Sequence, residues 1–212
     1  MNVTRCILRR GGQSISTEGG VEFALPEWYF DIETEGTDPQ QDRILTIQYQ
    51  AMTDGETAGS FQVLAEWEWG EKQIVRTIVE KGLLDPTRDF VPVGNHLKFD
   101  ITFVMEKAEK YGIKKFGLES LRYYWFTKPL VDLAPVFQLM NRSRPQGTST
   151  SEFPEKMNSS DVPRLYRDGK YLEIIEYVTR EKDETLAVIR EAGSLLQDYA
   201  AGRRQSASPD PR

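Results

Sequence analysis

An aromatic run ends in two carboxylates, Trp28-Tyr29-Phe30-Asp31-Ile32-Glu33. Successive residues of a strand point to opposite faces. Asp31 and Glu33 therefore share one face, and Phe30 and Ile32 point the other way, into a core. Two like charges so placed repel and raise each other's pKa unless a cation lies between them. The pair is either a solvated strand end before the turn that follows, or a hard-oxygen site for a divalent cation. Such an ion takes one or two carboxylates together with water and phosphate oxygens. Only further carboxylates converging on the pair would decide.

Two other segments offer one carboxylate each. In GNHLKFD, residues 94–100, Gly94 closes a short strand and Asn95 is placed to cap the next helix through its side-chain oxygen. Asp100 shares a helical face with Val104, Ala108 and Tyr111, the face that turns toward a sheet. It is an inward carboxylate, or an acid favoured there by the helix dipole. In YLEIIEYVTREKDETLAVIREAG, residues 171–193, a helical phase of about 100° per residue puts Glu181 about 20° from Ile174. It sits there in the middle of a stripe of Val178, Thr185, Val188, Ile189 and Ala192. Tyr177 lies one turn earlier on the same side, and Asp183 lies opposite, facing solvent. A carboxylate centred on a buried stripe needs a core-facing Arg or Lys, or a metal.

The elements that must position these groups alternate. Strands are expected at WYFDIE, at RILTIQYQAM, where Ile44, Thr46 and Gln48 alternate with Leu45, Ile47 and Tyr49, at SFQVLA (60–65) and at DFVPVG (89–94). Helices are expected at EKQIVRTIVEKGLL, from NHLKF to Gly112, and from Lys170 to about Ala200, with a shorter element in PLVDLAPVFQLM. Residues 142–170 read as irregular. The pattern is α/β, a mixed sheet flanked by helices in a single domain over 22–200. Residues 1–21 read as a flexible leader and 201–212 as a disordered tail.

Composition sets the outer limits. A chain of 212 residues with 39 % hydrophobic residues can bury a core. No apolar run approaches the roughly 18 residues of a membrane helix, and none follows Arg5, Arg9 and Arg10 as a secretory signal requires. One cysteine, Cys6, and one histidine, His96, exclude an internal disulfide and argue against a tetrahedral zinc site. They fit a reducing, cytoplasmic setting. The net charge of −6 excludes binding of nucleic acid by bulk positive charge, although bound cations can supply that charge locally.

Taken together, these segments resemble the DEDD-type 3′–5′ exonucleases of the ribonuclease-H-like superfamily, in their tyrosine subtype. The motifs are similar to those of the proofreading exonuclease domain of family B DNA polymerases. The first motif, a strand ending D-I-E, matches Asp31-Ile32-Glu33. The second, N-x-x-x-F-D, matches Asn95 through Phe99-Asp100. The third, Y-x-x-x-D, matches Tyr177, with Glu181 in place of the aspartate and Thr185 at the family's threonine. VDLAPVF, with Asp132, looks like the start of the family's intervening helix. The resemblance covers about 26–196.

The resemblance implies a ribonuclease-H-like fold and hydrolysis at the 3′ end of a single strand, with DNA favoured. Two divalent cations, Mg²⁺ or Mn²⁺, would sit ~3.5–4 Å apart. Asp31 would bridge them, Glu33 and Glu181 would ligate one, and Asp100 would act on the other. Tyr177 would orient the attacking water or help to deprotonate it. Thr34, Asn95, Lys98, Phe99, Arg43 and Lys156 are the implied substrate contacts, although Phe99 by itself reads first as core. His96 would stand at the substrate's edge. The aromatic run RYYWF (122–126) is a stacking platform, or else core or a partner surface. The longer Glu181 shifts the metal geometry, which leaves a second reading: a catalytically degenerate nucleic-acid-binding or scaffold subunit of a repair, replication or RNA-processing assembly. Any polymerase partner would act in trans.

Overall fold

The computed structural model describes residues 25–53, 56–136 and 159–206, with side chains as far as 193. The expected leader and Lys156 lie outside the described residues. Strand β1 (Glu27–Thr34) is central. It pairs antiparallel with β2 (Ile44–Thr53) on one side and parallel with β5 (Val91–Gly94) on the other. β6 (Val131–Asp132) extends the parallel side. β3 (Glu56–Thr57) and β4 (Gln62–Ala65) both pair with the far edge of β2. The helices are α1 (Glu66–Trp69), α2 (Glu71–Glu80), α3 (Leu97–Lys110), α4 (Leu118–Phe126), α5 (Val162–Arg167) and α6 (Tyr171–Ser206).

The two faces of the sheet are packed differently. Phe30, Ile32, Ile47 and Tyr49 face Ile74, Val75 and Ile78 of α2 and Ile101, Val104 and Ala108 of α3, forming the larger core. On the opposite face Tyr29, Leu45 and Met52 meet α5 and α6 through Val162, Leu165, Ile174, Val178 and Leu186. Both faces are thus covered, and β1 is held from both sides.

Four sequence expectations change here. The strict alternation expected in β2 breaks at a bulge: Glu33 opposes Thr46 but Thr34 opposes Ile44. Leu45 is the extra residue, so Ile44 joins the larger core while Leu45 turns to the other face. The segment read as irregular to 170 contains a 3-10 turn (Ser159–Asp161) and α5, whose six residues are too few to show a period although Val162 and Leu165 are buried. RYYWF belongs to α4, where Tyr124 is buried while Tyr123 and Phe126 are exposed. Within PLVDLAPVF, Val131 and Asp132 form a strand. Helix α6 also continues six residues past the expected boundary at 200.

A buried ion pair ties the bulge to the helices. Glu71 Oε1 accepts hydrogen bonds from the Ile44 N–H (2.8 Å) and from Lys107 Nζ (2.9 Å), and Tyr111 donates its hydroxyl to the other oxygen. The Lys107 side chain is 1 % exposed. Removing one partner of such a pair strands the other charge. Lys107→Ala is expected to lower the unfolding free energy by about 3–5 kcal/mol in denaturant titration. Lys114→Ala, which removes an open pair with Asp85 at 3.9 Å, should cost less than about 1 kcal/mol.

Candidate metal centre and active site

β1 delivers its polar side chains to the face covered by α6. Asp31 lies opposite Gln48, and Glu33 lies opposite Thr46 at the bulge. From α6, Glu181 reaches the same point, so that ligand oxygens of Asp31, Glu33 and Glu181 all lie within 4.8 Å of one another. Ile174, Val178, Thr185 and Leu186, all buried, hold that side of α6 against the sheet. Asp183 is 66 % exposed and pairs with Lys182 at 2.7 Å, as the helical phase requires. Asp100, in the first turn of α3, is 3 % exposed and close enough for its charge to act on Asp31 and Glu181 in return.

All four carboxylates are shifted toward the protonated form. For Asp31 the main cause is burial and the next is the charge of Glu181, opposed by hydrogen bonds from the Ile32 N–H and the Tyr29 hydroxyl. Asp100 is raised by burial and then by the charges of Asp31, Glu181 and Asp132. Glu33 is raised by burial and by Glu181 and Asp31. Each of Glu33 and Glu181 therefore sits beside another acid that makes its charged form costly. Glu181 is raised by burial despite accepting hydrogen bonds from Tyr177 and Glu33. Tyr177 is itself pushed far up by burial and the adjacent carboxylates, so its hydroxyl is a donor in the metal-free site.

These groups could hold a hard divalent cation. The donor set is carboxylate oxygen throughout. Asp31 Oδ2, Asp100 Oδ2 and Glu181 Oε2 are buried with no hydrogen-bond partner. Among the described residues no lysine or arginine makes a salt bridge to Glu181, and the charge of Arg180 only partly offsets what burial does to it. Buried charged oxygens without partners are costly, and cations would satisfy them.

An open pocket of about 490 Å³ lies along the first turns of α3, lined by none of the four carboxylates. One wall is Thr37 and Pro39 from the β1–β2 loop, another is Lys98, Phe99 and Phe103 from α3, and His96 and Asp132 complete it. Phe99 is 38 % exposed and packs on Phe103 at 5.5 Å, so it is a pocket wall and not the core residue its sequence suggests. Thr34 is half-buried and donates its hydroxyl to the Gly36 carbonyl (2.6 Å). Arg43 stands apart from the pocket, held by a two-pronged contact with Glu35 (2.9 and 2.7 Å) and set over the Tyr166 ring. Asn95 is not the cap of α3. That position is His96, which makes no side-chain capping bond.

The sequence reading missed Tyr29, which shares the face of Asp31 and Glu33 and is 1 % exposed. The same alternation that groups Asp31 with Glu33 places Tyr29 with them. It also missed Thr46, Gln48 and Gln50, which form a buried polar strip opposite these residues and gave no signal distinguishing them from a solvent face.

A mixed sheet with an antiparallel second strand, helices on both faces and carboxylates at the end of its central strand is the ribonuclease-H-like architecture. The chain belongs to the RNase_H superfamily, whose sequence profile matches residues 28–191. The match is to the superfamily as a whole and does not single out the polymerase proofreading branch. No curated protein matches the chain. Among solved structures it is similar to apo exonuclease I (15 % identity, 58 % of this chain and 32 % of that one, TM-score 0.43). It is also similar to the zinc-bound form of the E. coli exonuclease I–ssDNA complex (14 %, 58 % and 31 %, 0.43). A third is E. coli exonuclease I with a dA16 oligonucleotide (14 %, 57 % and 31 %, 0.42). The chain spans about a third of the length of these proteins.

The raised carboxylates fix a sign. A group whose folded pKa lies above its unfolded value stabilises the fold at pH below the unfolded value and loses that contribution as pH rises through the folded one. In EDTA the melting temperature should therefore fall as pH rises above the ordinary carboxylate range. Mn²⁺ at pH 8 should restore it. Asp31→Asn should flatten the pH slope, raise the metal-free melting temperature at pH 8 and abolish the response to Mn²⁺.

Proposed function

We propose that this protein is a metal-dependent nuclease that removes nucleotides from the 3′ end of a single strand. The observation that carries the reading is the convergence of Asp31, Glu33, Asp100 and Glu181 from three separate elements, with three buried oxygens lacking partners. Mg²⁺ or Mn²⁺ bound there would acidify a water and neutralise charge on the phosphate. Asp31, Glu33 and Glu181, with Asp100 beside them, would hold the ions through their carboxylate oxygens. Tyr177, one turn before Glu181 and in contact with it, would orient the attacking water or help to deprotonate it through its hydroxyl. Phe99 offers a ring face in the pocket beside Asp100 for the terminal base, a contact that tolerates any sequence. Lys98 on the same wall can meet the backbone. Glu181 reaches the cluster despite its extra methylene, which favours a working site over the degenerate scaffold.

The test uses 5′-labelled single-stranded DNA and RNA oligonucleotides with Mg²⁺, Mn²⁺ or EDTA. A metal-dependent ladder shortening from the 3′ end is expected, lost in Asp31→Ala/Glu33→Ala. Release of label as mononucleotide from the 5′ end at the outset would overturn the direction, and turnover in the double variant would overturn the site. Glu181→Ala should slow cleavage about 10²–10³-fold, the usual loss for one preorganised electrostatic group. Asp183→Ala, on the solvent side of α6, should leave the rate within about twofold.

A further inference from the structure

The turn that delivers Asp100 is conformationally unusual. His96, at the N-terminal boundary of α3, has φ 57° and ψ 30°. It is the one non-glycine residue with positive φ among the described residues. Left-handed backbone is disfavoured for a side chain with a Cβ and persists only where the surroundings impose it. The capping position of a helix is normally extended, with its own side chain bonding the first turn; His96 does neither.

The neighbours that impose this conformation are identifiable. Asp132 Oδ1 accepts the His96 N–H at 2.9 Å and the Ala134 N–H at 3.0 Å. Asp132 is itself fixed opposite Gly94 in the β5–β6 pairing, and the Leu133 N–H donates to the Gly94 carbonyl at 2.9 Å. Gly94 has no room to shift: a Cβ there would lie 2.5 Å from the Phe30 carbonyl oxygen of β1. On its other side, the His96 carbonyl accepts the N–H of Phe99 (2.8 Å) and of Asp100 (3.3 Å). One residue, His96, therefore connects the Asp132 carboxylate to the backbone of both the pocket aromatic and the carboxylate of α3.

We propose that Asp132 is a positioning residue that holds His96 left-handed, so that the first turn of α3 aims Asp100 at Asp31 and Phe99 into the pocket. This rests on the nuclease reading for its consequence, while the clamp itself is a property of the fold. The competing role for Asp132 is a charge acting directly at the metal site, since it also lines the pocket. The two roles separate by chemistry. The clamp needs an acceptor oxygen, which asparagine keeps, and a ligand needs the charge, which asparagine loses.

The experiment compares Asp132→Asn, Asp132→Ala, His96→Gly and Asp132→Ala/His96→Gly in the full chain. Three readouts are taken: amide hydrogen exchange at 96–100, Mn²⁺ affinity by calorimetry, and cleavage rate. Asp132→Ala is expected to lose exchange protection at Phe99 and Asp100 and to weaken Mn²⁺ binding and turnover by about 10–100-fold, the usual effect of removing a group that orients a metal ligand. Asp132→Asn should stay close to the wild type in all three. Glycine adopts the left-handed region without a steric penalty, so the double variant should recover to the level of His96→Gly alone. Damage from Asp132→Asn equal to that from Asp132→Ala would overturn the proposal, as would absence of rescue or unchanged exchange in Asp132→Ala. Wild-type protein that neither binds Mn²⁺ nor cleaves would instead remove the nuclease reading, with the exchange data still judging the clamp.

Discussion

The mutual repulsion of four carboxylates in one poorly hydrated place is the constraint on which the rest of this structure depends. Asp31, Glu33, Asp100 and Glu181 are each pushed toward the neutral form, burial being the first cause and the neighbouring acids the next. A flexible scaffold would relax by letting them drift apart. Here β1 is paired on both sides and covered on both faces, so Asp31 and Glu33 cannot move without disturbing the sheet. The apolar contacts of α6 and the packed face of α3 do the same for Glu181 and Asp100. The core thus offsets an electrostatic cost that is concentrated at one point.

The metal-free protein softens that cost with the protons and hydroxyls it has. The hydroxyls of Tyr29 and Tyr177 act on Asp31 and Glu181 and lower the pKa values that burial raises. These devices leave one oxygen of Asp31, one of Asp100 and one of Glu181 without any partner. A site built only for stability would have paired those oxygens with an arginine or lysine. Cations elsewhere among the described residues are paired in that way: Lys107 with Glu71, Arg43 with Glu35 and Lys182 with Asp183. Glu181 stands one turn after Tyr177 on the buried side of α6, which lets the tyrosine hold it through an i, i+4 contact.

Much of this was legible in the sequence where a single period governs a residue's direction. Alternation placed Asp31 with Glu33, and helical phase placed Asp100 with Val104 and separated Glu181 from Asp183. What the sequence hid depends on contacts between distant segments. The buried strip Thr46, Gln48 and Gln50 has the composition of a solvent face and is buried only because α6 lies over it. The bulge at Leu45 follows from pairing with β1 and from Glu71, 27 positions away, accepting the Ile44 N–H. α5 is too short for a period to register, and the left-handed His96 is set by an aspartate 36 positions away. Phe99 reads as core from its residue type, yet its ring is half-exposed and lines a pocket.

The distribution of charge also constrains how such a site could hold a nucleic acid. The chain carries a net charge of −6, and its carboxylates cluster where a phosphate would have to approach. Several arginines among the described residues are held by other groups: Arg43 by Glu35, Arg164 by Asp161 and Asp168, and the buried Arg88 by the carbonyls of Phe90 and Pro129. Few phosphates could therefore be neutralised by side chains, and release of counterions, the usual source of affinity for a charged strand, would be small. Attraction must come from cations gathered by the carboxylates themselves and from an aromatic face such as Phe99. The same repulsion that makes the site costly to fold thus makes strand binding conditional on metal, so that an enzyme of this design would engage a phosphate only after its own carboxylates had been neutralised.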